Sequence, residues 1–217
     1  MVHTRIKICG ITRPEDARAV ADSGADAIGL VFYSRSPRVV DIDRAAEIVA
    51  ALPPFVSSVA LFVDESADRI ERVLRDVPVD MIQFHGEESP GFCRQFGRPW
   101  MKALRVRPGL DIPSLCEQYA EGRAILLDAW KDGVPGGTGM QFDWALAPDT
   151  LGLPVVLAGG INEHNVASAV SKVCPYAVDV SGGVESSPGI KDAVKIADFV
   201  AAVRAADQGV KINADDK

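Results

Sequence analysis

Arg5-Ile6-Lys7-Ile8-Cys9-Gly10-Ile11-Thr12-Arg13-Pro14 carries the pattern that repeats along the chain. Isoleucine alternates with other side chains over Arg5–Cys9, which reads as a strand. Gly10 interrupts it, and Thr12 ahead of Pro14 reads as a helix start, with the hydroxyl as cap and proline in the first turn. Working outward, similar short β-branched or apolar runs recur at Ala27–Phe32, Ser58–Val63, Met81–Phe84, Trp100–Arg105, Ala124–Asp128, Pro154–Ala158 and Ala177–Val180. Helix-like stretches alternate with them: Pro14–Ser23, Asp43–Leu52, Ser66–Asp76, Pro90–Phe96, Ile112–Tyr119, Phe142–Ala147, Glu163–Lys172 and Ile190–Ala205. Asp43 and Asn162 supply further cap signals before Arg44 and Glu163.

Strand–helix units repeated without a break in composition predict parallel strands joined by right-handed crossovers. The α/β fold that accommodates eight of them in one closed sheet is a single-domain (β/α)8 TIM barrel; an open doubly wound sheet is the alternative. A chain of 217 residues is long enough for such a barrel. The barrel domain is expected over 1–206. The stretch 207–217 is polar, contains Gly209 and lacks apolar periodicity, so it reads as a disordered tail outside the function.

With 47% hydrophobic and 24% charged residues, the chain has the material for a packed core. Its net charge of -7 argues against a nucleic-acid surface, although a local positive site is still able to take an anionic small molecule. Cys9, Cys93, Cys116 and Cys174 form no CxxC pair and no dense framework, as expected of free thiols in a reducing, cytoplasmic compartment. Arg5 and Lys7 interrupt the first apolar run, and no stretch approaches the roughly 20 apolar residues of a membrane span.

Strand parity locates the polar residues. Ile6 and Ile8 share one face of the first strand; Lys7 and Cys9 share the other. The same rule opposes Ile82 and Phe84 to Gln83 and His85, Ile125 and Leu127 to Asp128, and Val178 and Val180 to Asp179 and Ser181. If the apolar faces pack on helices, the polar ones enter the lumen near the C-terminal strand ends, where barrel enzymes keep their chemistry.

Each candidate also has a plainer reading. Cys9 is either a small buried thiol or, with Lys7 two residues away on the same face, a general base whose pKa the ammonium lowers. Asp128 either caps a turn or acts at the barrel mouth, beside a loop in which Gly133, Gly136, Gly137 and Gly139 crowd around Thr138 as a connection or a lid. Gly159-Gly160 and Ser181-Gly182-Gly183 directly follow strands seven and eight, where backbone N–H groups cradle phosphate; either alone also suits a tight turn. Arg38, after the second strand, is a solvated arginine or a fork for a carboxylate. His85 has no partner at ligand spacing, so no metal is expected and its role is hydrogen bonding or stacking.

Taken together, these motifs resemble the phosphoribosylanthranilate isomerases of tryptophan biosynthesis. The resemblance runs from Lys7 to Asp192. It rests on Lys7-Ile8-Cys9-Gly10-Ile11-Thr12, Gly29-Leu30-Val31-Phe32 with Ser36-Pro37-Arg38, Gln83-Phe84-His85-Gly86 and Leu127-Asp128 with Gly136-Gly137-Thr138-Gly139. Phe142-Asp143-Trp144, Leu157-Ala158-Gly159-Gly160 and Val178-Asp179-Val180-Ser181 leading to Gly183-Val184-Glu185 complete it. The resemblance implies a cofactor-independent aldose–ketose isomerase acting on a phosphorylated small molecule, as a monomer or homodimer. It implies Cys9 as general base, Asp128 as general acid, Arg38 on the anthranilate carboxylate, and Gly159, Gly160, Ser181 and Gly182 on the phosphate. Lys7, Gln83, His85 and Asp179 join them as substrate contacts. Relatives usually carry a second serine where this chain has Gly182, which keeps the backbone N–H and drops a hydroxyl.

Two rivals are weaker. A sugar-phosphate isomerase of histidine biosynthesis resembles a two-aspartate machine, which the thiol at Cys9 disfavours. A non-catalytic phosphate-binding barrel has no use for an acid and a base at its mouth.

Overall fold

The computed structural model describes residues 3–107, 109–129, 144 and 152–215, the last six by backbone alone. The expected helix over Phe142–Ala147, apart from Trp144, and the glycine loop around Thr138 lie outside the described residues.

Strands β1 (Arg5–Cys9), β2 (Ala27–Val31), β3 (Ser57–Phe62), β4 (Met81–Phe84), β5 (Trp100–Val106), β6 (Ala124–Ala129), β7 (Val155–Leu157) and β8 (Ala177–Val180) form a closed barrel in sequence order. Every neighbouring pair is parallel, and β8 closes onto β1 with Asp179 opposite Lys7. Closure removes the free edges an open sheet would leave. Helices α1 (Pro14–Asp22), α2 (Ile42–Ala50), α3 (Ala67–Asp76), α4 (Pro90–Cys93), α5 (Ile112–Gln118), α6 (Val166–Val173) and α7 (Ala193–Asp215) return the chain between strands or follow the last one.

Parity partitions the core in two. Ile6, Ile8, Ile28, Leu30, Ile82 and Phe84 belong to the large cluster between barrel and helices, where each buried side chain contributes about 1.5–3 kcal/mol. Val59, Met101, Ala103, Ala124, Leu126 and Ala177 form a second cluster, the packed floor of the lumen. The polar lumen positions lie above that floor, toward the strand C-termini.

Element ends differ from the sequence reading in physically legible ways. Thr12 does not cap α1; its hydroxyl donates to the carbonyl of Gly189, 2.5 Å away, and Arg13 occupies the cap position. Asp41, not Asp43, caps α2 by accepting from Arg44 N at 2.8 Å. Asn162 accepts from His164 N in a loop, and α6 begins only after Asn165. The stretch Pro90–Phe96 divides into α4 and a 3-10 turn over Arg94–Phe96, stopped by Gly97 at φ 60°. Ile190 and Lys191 are not helical: they form β10 (Ile190–Lys191), paired antiparallel with β9 (Glu185–Ser187).

The expected tail at Asp207 is also corrected. Helix α7 runs through it to Asp215, and the buried Asp207 carboxylate accepts from Thr4 N at 3.1 Å and Thr4 Oγ1 at 2.6 Å. Arg204 donates to the Thr4 carbonyl at 2.6 Å. A polar stretch thus closes the fold by satisfying backbone groups at the start of β1.

Candidate active site

A cavity of about 440 Å³ opens at the C-terminal ends of the strands. Cys9, Arg38, Gln83, His85, Asp128, Gly159, Gly160, Asp179, Ser181 and Gly182 all line it. Of the residues singled out in the sequence, Lys7 alone is not in the wall. It lies beneath, 4% exposed, with Nζ 2.9 Å from Asp179 Oδ1.

Strand β1 delivers Cys9 to the mouth, and Gly29 on β2 makes room for it. A side chain beginning at Gly29 would stand 2.7 Å from Cys9 Sγ and 3.1 Å from Lys7 Nζ, so thiol and ammonium crowd one point. Burial works against the Lys7 charge, but Asp179 and Cys9 outweigh it and hold the ammonium above its ordinary range. For Cys9 the balance runs the other way from the sequence expectation. Burial pushes the thiol up, and the lowering pull of Lys7 and Lys191 does not overcome it.

Asp128, next to last in β6, has Oδ2 3.1 Å from His85 Nε2, while Oδ1 accepts from Ala129 N at 2.8 Å. Gln83 Nε2 sits 2.9 Å from His85 Nδ1, leaving Gln83 Oε1 buried and unpartnered among the described residues. With that amide donating, Nδ1 accepts and Nε2–H donates to an ionised Asp128. Turning the amide over lets its oxygen accept from Nδ1–H, and Nε2 then accepts from a protonated Asp128. The pair of side chains therefore suits either protonation state of the carboxyl group.

A network the sequence reading missed supports this corner. Lys102, on the helix-facing side of β5, meets Glu88 at 2.8 Å and also donates to the Gly86 carbonyl. Glu88 accepts from the backbone of Gly86 and Asp64, and its own carbonyl accepts from Tyr119 Oη at 2.9 Å. Arg105 donates to the His85 carbonyl at 3.0 Å. These bonds fix the loop carrying His85. The only signal was a lysine on an otherwise apolar face of β5.

Gly159 and Gly160 both adopt left-handed backbone, at φ 83° and 66°, which a side chain would strain. Asn165 holds their loop by donating to the Gly160 carbonyl at 2.9 Å. A 3-10 turn over Gly182–Val184 follows β8, and Gly183 packs so closely on Ile161 that a Cβ would collide with its carbonyl oxygen. The two loops thus form one continuous, glycine-lined wall suited to an anion.

Arg38 lies across Gly10 and is already engaged. Its Nε and Nη2 donate to Glu185 at 2.8 and 2.7 Å, and Glu185 also meets Lys191 at 2.8 Å. Neither Glu185 nor Lys191 stood out as a site residue in the sequence, because they sit in the β9–β10 hairpin where strand parity gives no guide.

A barrel with this mouth has close relatives. The family model described as N-(5'-phosphoribosyl)anthranilate (PRA) isomerase matches residues 6–202. A Pseudomonas putida protein named N-(5'-phosphoribosyl)anthranilate isomerase is 57% identical over 206 residues, covering 95% of this chain and all of the relative. A phosphoribosyl anthranilate isomerase structure in complex with reduced 1-(o-carboxyphenylamino)-1-deoxyribulose 5-phosphate is similar at TM-score 0.83 and 39% identity, over 94% of this chain and 100% of the other. So is a structure of monomers generated from the dimeric Thermotoga maritima enzyme, at TM-score 0.83 and 38% identity over the same shares. Closed barrel, polar mouth and near full-length identity agree, and the chain belongs to the N-(5'-phosphoribosyl)anthranilate isomerase family.

Proposed function

We propose that this chain converts N-(5-phosphoribosyl)anthranilate to 1-(o-carboxyphenylamino)-1-deoxyribulose 5-phosphate, the Amadori rearrangement of tryptophan biosynthesis, with Cys9 as base and Asp128 as acid. The observation that carries the assignment is that both groups line one cavity whose far wall is the double glycine loop. Gly159, Gly160, Ser181 and Gly182 take the phosphate, and the Arg38 guanidinium takes the anthranilate carboxylate.

In this reading the protonated Asp128 donates to the furanose ring oxygen, and the bond from C1′ to that oxygen breaks to give an iminium ion. The Cys9 thiolate then removes the C2′ proton, and the electron pair forms a C1′–C2′ double bond. The resulting enolamine tautomerises to the ketone. The iminium is the electron sink, so the step asks nothing of a metal or organic cofactor. Its positive charge adds to that of Lys7 near the sulfur and favours the thiolate at the moment the base is needed. His85 keeps contact with Asp128 in both of its protonation states, while Lys7 and Asp179 form the charged floor beneath Cys9.

The catalytic unit is the barrel over 1–206, stapled by Asp207. Four free cysteines support a cytoplasmic location, and among the described residues no helix is long and apolar enough to cross a membrane. For assembly we favour a homodimer over a monomer, on the precedent of the dimeric relative; sedimentation velocity decides between them.

The test follows the loss of anthranilate fluorescence as substrate generated in situ meets the enzyme. Cys9→Ala and Asp128→Ala should each lose about 10²–10⁴ in kcat while binding the reduced product analogue with near-native affinity. Near-native turnover in either variant removes that residue from its role.

A further inference from the structure

Arg38 has five N–H donors in two usable edges, a side edge of Nε and Nη2 and an end edge of Nη1 and Nη2. Glu185 occupies the side edge completely, through Nε at 2.8 Å and Nη2 at 2.7 Å. The end edge keeps a full fork, and among the described residues no other carboxylate lies within ion-pair distance of it. Arg38 lines the cavity, so the free edge belongs to a residue that borders the substrate space.

Charge points the same way. Glu185 is shared between Arg38 and Lys191, whose side chain is fully buried, with Nζ 2.8 Å from Glu185 Oε1 and 3.1 Å from the Ser181 carbonyl. Two cations around one carboxylate leave positive charge in excess in a largely buried cluster; burial opposes it, drawing the Lys191 pKa below its ordinary range despite Glu185, and an anion at the cluster would favour the charged form. The cluster is also held from behind. Lys195 donates to the Glu185 carbonyl at 2.8 Å, and Lys191 N donates to Asp16, whose two carboxylate oxygens also accept from Arg13 Nε and Nη2. The Arg38 stem lies against Gly10, where any Cβ would collide with its Cδ.

We infer that Glu185, held by Lys191, is a positioning residue: it locks the side edge of Arg38 so that the end edge stands ready for the carboxylate of the substrate's aromatic ring. Lys191 restores the positive charge that Glu185 alone would cancel. The pair thereby determines selectivity for a carboxylate-bearing aglycone. This rests on the assignment of Arg38 to that carboxylate, and the experiment separates the two.

Binding of reduced 1-(o-carboxyphenylamino)-1-deoxyribulose 5-phosphate is compared by calorimetry with binding of the same compound lacking its carboxyl group. Wild type should prefer the carboxylate, and Arg38→Met should abolish the preference; if Arg38→Met keeps it, the Arg38 assignment and this inference fall together. Glu185→Gln removes a negative charge near an anion, so electrostatics alone predicts tighter binding of the carboxylate compound. Positioning predicts the opposite, a fall of about tenfold in the preference, with KM raised and kcat nearly unchanged. Glu185→Asp keeps the charge, protecting the fold, but is one methylene too short to hold both donors. It should lose the preference as well. Wild-type preference in either Glu185 variant, even with a lowered melting temperature, overturns the inference.

Discussion

Gly29→Ala is a methyl group placed against the proposed base. The added carbon would meet Cys9 Sγ at 2.7 Å, Cys9 Cα at 3.1 Å and Lys7 Nζ at 3.1 Å. Ordinary non-bonded carbon contacts lie at about 3.5–4.0 Å, so the sulfur must retreat by about 1 Å. Rotating the thiol away does not suffice, because the contact to Cα belongs to the backbone of β1. A displacement of about 1 Å at a reacting group costs about 10² in rate. Overpacking a dense interior costs about 1–3 kcal/mol, partly offset by the ~0.5–1 kcal/mol that alanine gains over glycine within a strand. The variant should therefore melt only several degrees below wild type and retain the reduced product analogue, yet lose about 10² in kcat by anthranilate fluorescence. Gly24→Ala is the control. Gly24 has φ 82° and open space around its missing side chain, so alanine there is strained without touching the site. It should lose about 1 kcal/mol of stability and no activity. If Gly29→Ala turned over like Gly24→Ala, the sulfur would not be where the chemistry happens.

Two further expectations concern protonation, and one concerns the buried network. Because burial favours the neutral Cys9 thiol, its thiolate fraction grows as pH rises, and the rate of iodoacetamide alkylation at Cys9 should climb between pH 7 and pH 9; a rate that is already flat there contradicts a raised thiol. Burial also pushes Cys93 up to about 12 and Cys116 up to about 11. Their raised values favour the neutral thiol in the folded state, so this stabilisation is complete below pH ~9 and is lost as pH rises through about 11 for Cys116 and about 12 for Cys93. Urea midpoints of wild type and of Cys93→Ala/Cys116→Ala should therefore diverge less above pH ~9 than below it. Lys102→Met leaves Glu88 charged and unpaired at 3% exposure, which should cost about 3–5 kcal/mol. The urea midpoint reads the loss, and a drop below ~1 kcal/mol would mean that the Glu88 backbone partners suffice.

The barrel was legible because strand geometry leaves little freedom. Once Ile6 and Ile8 are assigned to the helix side, Lys7 and Cys9 have nowhere to go but the lumen, and the same holds for Gln83, Asp128 and Asp179. Closure followed from counting units. Boundaries were harder, since a cap signal is local while the hydrogen bonds that decide it are not. Thr12 looked like a cap for Pro14, yet its hydroxyl is drawn to Gly189, far along the chain. Asp207 looked like the start of a tail, and a distant pair of donors on Thr4 made it a staple.

The thiol's charge state failed to follow from the sequence for a related reason. Lys7 beside Cys9 suggested a lowered pKa, but adjacency on a strand face gives the sign of one interaction and says nothing about how much water remains. In the folded barrel both groups are buried, Lys7 is already claimed by Asp179, and desolvation of the thiolate wins. If Cys9 is the base, as proposed, it stays neutral until a cationic intermediate arrives, which would confine reactivity to the occupied site. The same logic covers Arg38: its charge is shared with Glu185, which Lys191 also meets, so the charge it offers in the proposed recognition depends on three side chains from a loop and the two strands of a hairpin. Strand periodicity predicts which residues reach the lumen, and only the assembled fold determines what charge each one still carries there.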